Sequence, residues 1–371
     1  MSALNEISRE AALRSKMKFG NEVAWGRPEA APPLDAASIK ARATERGLDV
    51  CGITSADPAR HAAFYQQWLD ENKAGEMAWL AREPERRMDP RVVLPGARSI
   101  VVAGLNYWQP QPKGRGRIAR YALGEDYHHV LLDKLEALAA EMVAGGAKAK
   151  VYVDTGPVLE KPLAARAGIG WQGKSTMLIN TKLGPWLLLG EILTTLELEP
   201  DAPQRDHCGT CTQCITACPT GAITGPYQLD ARRCIAYLTI ELKGSIPVEL
   251  RPLIGDLIYG CDECLEVCPW NRFAQTTREA RFLAKPEEDG RDQLHSLLEI
   301  SASEFKRRFA KSPILRVKRR GLLRNVCVVL GNIGTADDLP ALAKAAQHEE
   351  PLVREHAEWA MGRIESRLEK V

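Results

Sequence analysis

Two apolar periods alternate along the first two hundred residues, and they predict helices and short strands in turn. An N-cap at Asp35 and a stop at Gly47 bracket a helix running to Arg46. Val50 to Thr54 reads as a short buried strand, and a helix follows from about Ala59 to Glu71. Ser99 to Leu105 is rich in β-branched residues and reads as the next strand. The Pro/Gly-rich basic stretch Gln109 to Arg117 reads as a surface loop. Arg120-Tyr121-Ala then leads through Gly124, Asp126, Tyr127, His128 and His129 into a helix reaching about Met142. Lys148 to Val153 is predicted as a strand that ends at Asp154-Thr-Gly-Pro157, and Leu159 to Ala167 as a helix. Two more strands are expected at Met177 to Asn180 and Trp186 to Leu198. This order predicts an α/β domain. A carboxylate where a strand gives way to a helix, such as Asp154, sits where open α/β sheets place their sites, although an N-cap explains it equally well.

The pattern changes after residue 200. Arg232 to Glu241 looks helical between two cysteine runs, and Thr277 to Gly290 is charged and irregular. Arg316 to Arg367 shows apolar residues at i, i+3 and i+4 and resembles HEAT-type helix pairs, with Cys327 inside its first apolar stripe. From Lys306 to Arg324 nine cations occur without an acidic residue, a pattern that suits a polyanion as well as a solvated helix face. The predicted organisation is a tail over residues 1–33, an α/β domain over 34–200, a cysteine module over 201–275, a connecting segment over 276–312 and a helical segment over 313–371.

Composition narrows the class. The chain has 371 residues, 45% of them hydrophobic, and a net charge of +2. No apolar run is long enough to span a membrane, and the charged N-terminal residues lack a secretory h-region. Reduced thiols in this number suit the cytoplasm.

Eight of the ten cysteines carry the candidate chemistry. Cys208, Cys211, Cys214 and Cys218-Pro219 follow C-x2-C-x2-C-x3-C-P, the bacterial ferredoxin spacing. Cys261, Cys264 and Cys268-Pro269 repeat it without the leading cysteine, where Ile258 stands; Cys234 replaces it. In such repeats the last cysteine crosses to the other cluster. One 4Fe–4S cluster is therefore assigned to Cys208, Cys211, Cys214 and Cys268, and the other to Cys218, Cys234, Cys261 and Cys264. Structural zinc also uses C-x2-C pairs, but it gives no reason for the x2, x2, x3 run with proline. Cys51 reads as a small buried hydrophobe. Gly168-Ile-Gly170-Trp-Gln-Gly173-Lys174-Ser175 matches phosphate-loop spacings, yet it follows a helix and precedes a strand, the reverse of a P-loop. Its glycines suggest close approach of backbone to some other cofactor. Adjacent histidines at a helix start diverge, so His128 and His129 do not share a metal easily.

Taken together, Arg120-Tyr121-Ala with Asp126-Tyr127-His128, Val153-Asp154-Thr-Gly-Pro, Ala167 to Lys174, the eight cysteines and Tyr237-Leu-Thr-Ile-Glu241 resemble the tRNA epoxyqueuosine reductase family over residues 35–367. The resemblance implies an α/β domain holding base-off cobalamin, a ferredoxin-like double-cluster module, and removal of the epoxide oxygen of epoxyqueuosine to give queuosine at the wobble position of tRNA. It implies Asp154 as proton donor, with a pKa raised by burial beside the corrin. Met77, Tyr121, Lys174 and Leu178 are the expected corrin contacts. Lys318, Arg319, Arg320 and Arg324 are the expected grip on tRNA. A monomer fed by an external low-potential electron donor is expected. A cobalamin-dependent reductive dehalogenase and a ferredoxin-type electron carrier are the rival readings. The first ordinarily carries a twin-arginine signal, and the second leaves Asp154 and the glycine loop unexplained.

Overall fold

The computed structural model describes residues 34–284 and 293–370. The expected N-terminal tail lies outside the described residues. The helices α1 (Ala36–Glu45), α2 (Ala62–Asp70), α3 (Tyr127–Ala144) and α4 (Glu160–Arg166) alternate with strands β1 (Val50–Ser55), β2 (Ser99–Asn106), β3 (Ala149–Tyr152) and β4 (Leu187–Thr194). These four strands make one sheet in the order β1-β2-β4-β3. Asp35 closes the start of α1 as a capping box with Ser38, as its sequence predicts.

Every pairing in this sheet is antiparallel: Cys51 lies opposite Ala103, Ala103 opposite Gly190, and Val151 opposite Ile192. The alternation of helices and strands suggested an open α/β sheet, and that expectation is corrected. Asp154 therefore does not lie at the carboxyl edge of a parallel sheet, and the strand-end argument for it does not hold. The error has a clear cause. All eight residues of β2 are buried, so the strand reads as one continuous apolar run, as a parallel strand does. Its side chains nonetheless divide with period two. Val101, Ala103 and Leu105 face a core shared with Ile39 and Ala43 of α1 and Leu131, Leu135 and Leu138 of α3. Ile100 and Val102 face the opposite core, with Leu163 and Ala164 of α4 and Val93 and Leu94. Helices thus cover both faces.

The cores do not respect the boundaries expected from sequence. Leu265 and Phe282 complete the core of the sheet, and Ile258 and Tyr259 join the core of the C-terminal helices. Those helices are α5 (Lys318–Ile333), α6 (Leu339–Ala345) and α7 (Pro351–Leu368). α5 packs Val326, Val329 and Leu330 among Val353, Ala357, Ala360 and Ile364 of α7. Cys327 is fully buried there. Among the described residues no helix is long and apolar enough to cross a membrane.

Arg324 is a second correction. It lies within the uninterrupted run of cations, but it is 0% exposed. Its guanidinium donates to the carbonyls of Leu242 and Gly244 at 2.8 and 2.7 Å and of Leu238 at 2.7 Å. A polyanion has no access to it. Arg319 is half-buried and donates to Ile300 O at 2.7 Å, whereas Lys318 and Arg320 are exposed. Arg324→Leu strands the buried Leu238 carbonyl and the part-buried carbonyls of Leu242 and Gly244. It is expected to cost about 3 kcal/mol or more of folding stability, read as a lowered thermal midpoint.

Candidate functional site

Asp154 stands just beyond β3 with φ at +57°, a left-handed conformation that non-glycine residues rarely adopt. Its own N–H donates to Glu160 Oε1 at 2.6 Å, which holds the turn. The side chain is 58% exposed and opens to solvent in a cleft beside His128 and Tyr127.

The start of α3 supplies the partner. Asp126 caps the helix by accepting from His128 N at 3.1 Å, and the same carboxylate holds His128 Nδ1 at 2.6 Å. The ring is thereby fixed with Nε2 3.4 Å from Asp154 Oδ2. Tyr127 stacks on the imidazole, with centroids 4.1 Å apart, and hydrogen-bonds Asp154. His129 takes no part, as divergence of adjacent helical residues requires. Tyr121 lies edge-on to Tyr127 at 5.8 Å and tilted against Tyr259 at 6.2 Å.

Charge settles where the proton sits. Burial raises the Asp154 pKa, but hydrogen bonds from His128 and Tyr127 and the charges of His128 and Lys161 outweigh it and bring it to about 2. Burial lowers that of His128, but hydrogen bonds to Asp126 and Asp154 lift it to about 9. The expectation of a protonated Asp154 is therefore corrected for the free chain: the carboxylate is ionised and the imidazole carries the proton. Behind the pair, burial and then the Asp154 charge push Glu160 up to about 7. Burial and then Glu160 push Glu191 well above the carboxylate range. Glu191 is 0% exposed on β4 and neither of its oxygens has a hydrogen-bond partner, so burial beside Glu160 favours its neutral form. Sequence reading missed His128, Glu160 and Glu191 as members of this site. The Asp126-Tyr127-His128 triplet was the available signal.

The cysteines feel one another's charge mostly within the two expected sets, and Cys264 also feels Cys214. Burial raises the Cys268 thiol, and the charges of Cys208, Cys214 and Cys211 add to it. Burial pushes Cys261 up to about 12, with Cys234 adding; Cys234 in turn feels Cys218. Burial places Cys264 far above its ordinary range, with Cys261 and Cys234 adding. Among the described residues no three His, Cys, Asp or Glu side chains converge as a single-ion site. Buried thiols held up in this way need a strong local positive charge to ionise, which an iron–sulfur core supplies. The residues fit that group. Cys51 is half-buried and unpaired, and burial raises its pKa to about 12, as for a small core residue.

Two of the expected corrin contacts are engaged within the chain. Lys174 donates from Nζ to Gly209 O at 2.6 Å and Cys211 O at 3.0 Å, so it braces the first cysteine run. Leu178 is 3% exposed in the core of the sheet. The glycine loop packs closely. A Cβ on Gly170 would stand 2.1 Å from Ile179 O, and one on Gly173 would stand 2.5 Å from the Ile179 side chain and 3.4 Å from Cys208 Sγ. These two glycines let the loop pack within the chain beside the first cysteine run. The Trp171 indole N–H has no oxygen partner and faces the Cys208 sulfur. Met77 packs against the same core as Cys234, and Tyr121 is the expected contact that stands at the Asp154 cleft.

Residues 87–155, which carry Asp126, His128 and Asp154, match the model described as epoxyqueuosine reductase QueG, DUF1730. Residues 207–271 match that of a 4Fe–4S double cluster binding domain. An epoxyqueuosine reductase of Xanthomonas campestris is 43% identical over 342 residues, 89% of this chain and 96% of its own. The chain belongs to the epoxyqueuosine reductase family. The Escherichia coli epoxyqueuosine reductase is 40% identical over 89% of this chain and 90% of its own. A crystal structure of an epoxyqueuosine reductase with an epoxyqueuosine-modified tRNA-Tyr stem loop superposes with a TM-score of 0.82 at 34% identity, covering 90% of this chain and 94% of that one. The Bacillus subtilis epoxyqueuosine reductase, with its catalytic aspartate loop swung out of the active site, gives 0.77 at 32%, covering 90% and 94%.

If the two cysteine sets each hold one cluster, Cys268→Ala and Cys218→Ala should each lower bound iron by about half in anaerobically reconstituted protein, and the double variant should lose nearly all of it. Iron analysis with cluster absorbance reads the outcome.

Proposed function

We propose that this chain removes the epoxide oxygen of epoxyqueuosine at the wobble position of tRNA, giving queuosine, with two 4Fe–4S clusters and base-off cobalamin as cofactors. The observation that supports this reading is the solvent-facing Asp154–His128 pair in the same chain as the eight cysteines of the double-cluster segment. Residues 34–200 would hold the corrin, with Tyr121 and Met77 as contacts. Residues 201–275 would hold the clusters and 276–312 connect them to a HEAT-type helix pair over 313–371. Cys208, Cys211, Cys214 and Cys268 are one ligand set, and Cys218, Cys234, Cys261 and Cys264 the other. An external low-potential donor supplies the electrons.

When bound, the clusters and the cobalt centre supply low-potential electrons for breaking the C–O bond. The chain's own task is the proton. Opening an epoxide leaves an alkoxide, a poor leaving group without a positioned acid. Net conversion to the alkene consumes two electrons and two protons per epoxide and releases water. His128 Nε2 holds a proton beside Asp154 Oδ2, and Asp154 faces the cleft. The pair, rather than the aspartate alone, is the acid. Glu160 holds the Asp154 backbone so that the carboxylate points into the cleft. Lys318, Arg319 and Arg320 remain for the RNA backbone, with Arg324 withdrawn.

Asp154→Asn should retain both clusters and bound cobalamin yet lose roughly 100-fold or more in single-turnover rate on epoxyqueuosine-containing tRNA. Turnover at the wild-type rate would reject the acid role. The pH dependence has a defined sign. The pair loses its stored proton as pH rises through about 9, so the rate of pre-reduced enzyme should fall above that value. His128→Gln should abolish that alkaline limb and lower the plateau.

A further inference from the structure

The Tyr237-Leu-Thr-Ile-Glu241 motif has no part in the chemistry above, yet it ties together three pieces of chain near Asp154. It forms a π-helical turn, a rare conformation found mostly at functional sites. Tyr237 at its start accepts from Glu76 N at 2.9 Å through its hydroxyl. Gly75 makes that contact possible, since a Cβ there would stand 2.5 Å from the same hydroxyl oxygen. Glu76 accepts in turn from Lys243 N at 2.8 Å, and Tyr65 donates to Leu80 O at 2.6 Å. The loop between Gly75 and Leu80 is therefore fixed at both ends, and it carries Trp79.

Glu241, at the end of the motif, takes Arg316 through two bonds, Nε to Oε1 at 2.5 Å and Nη2 to Oε2 at 3.0 Å. The guanidinium so held lies 5.1 Å from the centre of the Trp79 ring. Arg316 keeps 49% of its side chain exposed, Trp79 is half-buried, and Arg316 is near enough to Asp154 to feel its charge. Lys243 and Lys318 stand in the same cationic neighbourhood. With donors committed to Glu241, the guanidinium offers its flat face more readily than its fork.

We propose that Trp79 and Arg316 form a stacking platform for an unpaired nucleobase of the anticodon loop next to the modified nucleoside. The inference rests on the tRNA reading above. Bases splayed from an RNA loop are received on aromatic rings and guanidinium planes, and every base has a face to offer. A platform beside the Asp154 cleft holds the neighbour while the modified nucleoside enters. Lys243 and Lys318 meet the phosphates on either side.

The test uses reconstituted enzyme and an epoxyqueuosine-containing stem loop with 2-aminopurine beside the modified position. Wild type is expected to quench the 2-aminopurine on binding. Trp79→Ala should relieve the quenching and weaken binding by about 5- to 150-fold, with the dependence on salt unchanged. Trp79→Phe, which keeps a ring, should retain most of both and shows that the loop still folds. Arg316→Lys keeps the charge and loses the plane, so it should weaken binding while leaving the salt slope intact. Equal affinity and equal quenching for Trp79→Ala, beside a wild type that binds and turns over, would overturn the platform alone. A wild type that neither binds nor turns over the stem loop would overturn the proposed function, and the platform with it.

Discussion

The ion pair between Asp154 and His128, open to solvent on its carboxylate side, governs the rest of the site. A carboxylate and an imidazolium surrounded by protein are unfavourable unless each is matched. Here the matching runs outward in a chain. Asp126 caps α3 and fixes the His128 ring, His128 and Tyr127 hold the Asp154 carboxylate, and Glu160 holds the Asp154 backbone in its left-handed turn. Glu160 in turn lies against Glu191, buried in the sheet. Two neighbouring buried carboxyl groups cannot both ionise, so Glu191 stays neutral. A helix cap at one end and a strand interior at the other thus determine the charge state of one exposed side chain.

The cysteine segment is fastened to this scaffold by polar contacts as well as by shared core. Arg120 is nearly buried; its backbone N–H donates to Asp262 Oδ2 at 2.9 Å and its side chain pairs with Asp262 and Glu266, all between or beside the cysteines of the second run. The same guanidinium lies 4.9 Å from the Trp186 ring, whose indole N–H donates to Asn271 Oδ1 at 2.7 Å. Arg120 and Tyr121 are consecutive, one gripping the cysteine segment and the other standing at the Asp154 cleft. The short motif that opens α3 therefore sets the distance between electron supply and proton supply on the proposed reading. A rigid link suits that task, because misplacing reacting groups by small distances is costly.

Much of this was legible in the chain. The period of the apolar residues placed the helices and strands to within a few residues, since each buries a face with its own repeat. The cysteine spacing carried the double-cluster region because a cubane constrains ligand order more tightly than a single ion does. What stayed hidden depends on the third dimension. A strand buried on both faces reads alike in parallel and antiparallel sheets, so connection direction was lost. Arg324 is one cation in a run of nine, and only the packing of α5 onto the Tyr237–Glu241 turn shows that it points inward. That Lys174 donates to the first cysteine run and Leu178 enters the core of the sheet follows from how their loop folds, not from their motif. For Asp154, sequence supplied the burial and omitted the partner that reverses its effect.

That reversal carries its own consequence. In the free chain Asp154 is ionised because His128 and Tyr127 outweigh burial while the side chain still reaches water. A nucleoside settling on the cleft floor expels that water. Desolvation, already the largest influence on this carboxyl, then grows, and it acts against charge on Asp154. Repulsion from Glu160 strengthens as the local dielectric falls. The stored proton on His128 Nε2 needs to cross only the 3.4 Å contact to reach Oδ2. On this reading the substrate creates the acid it needs by covering it. An empty cleft, open to solvent, leaves the proton on the imidazole, where it cannot be spent on water or an uncommitted electron.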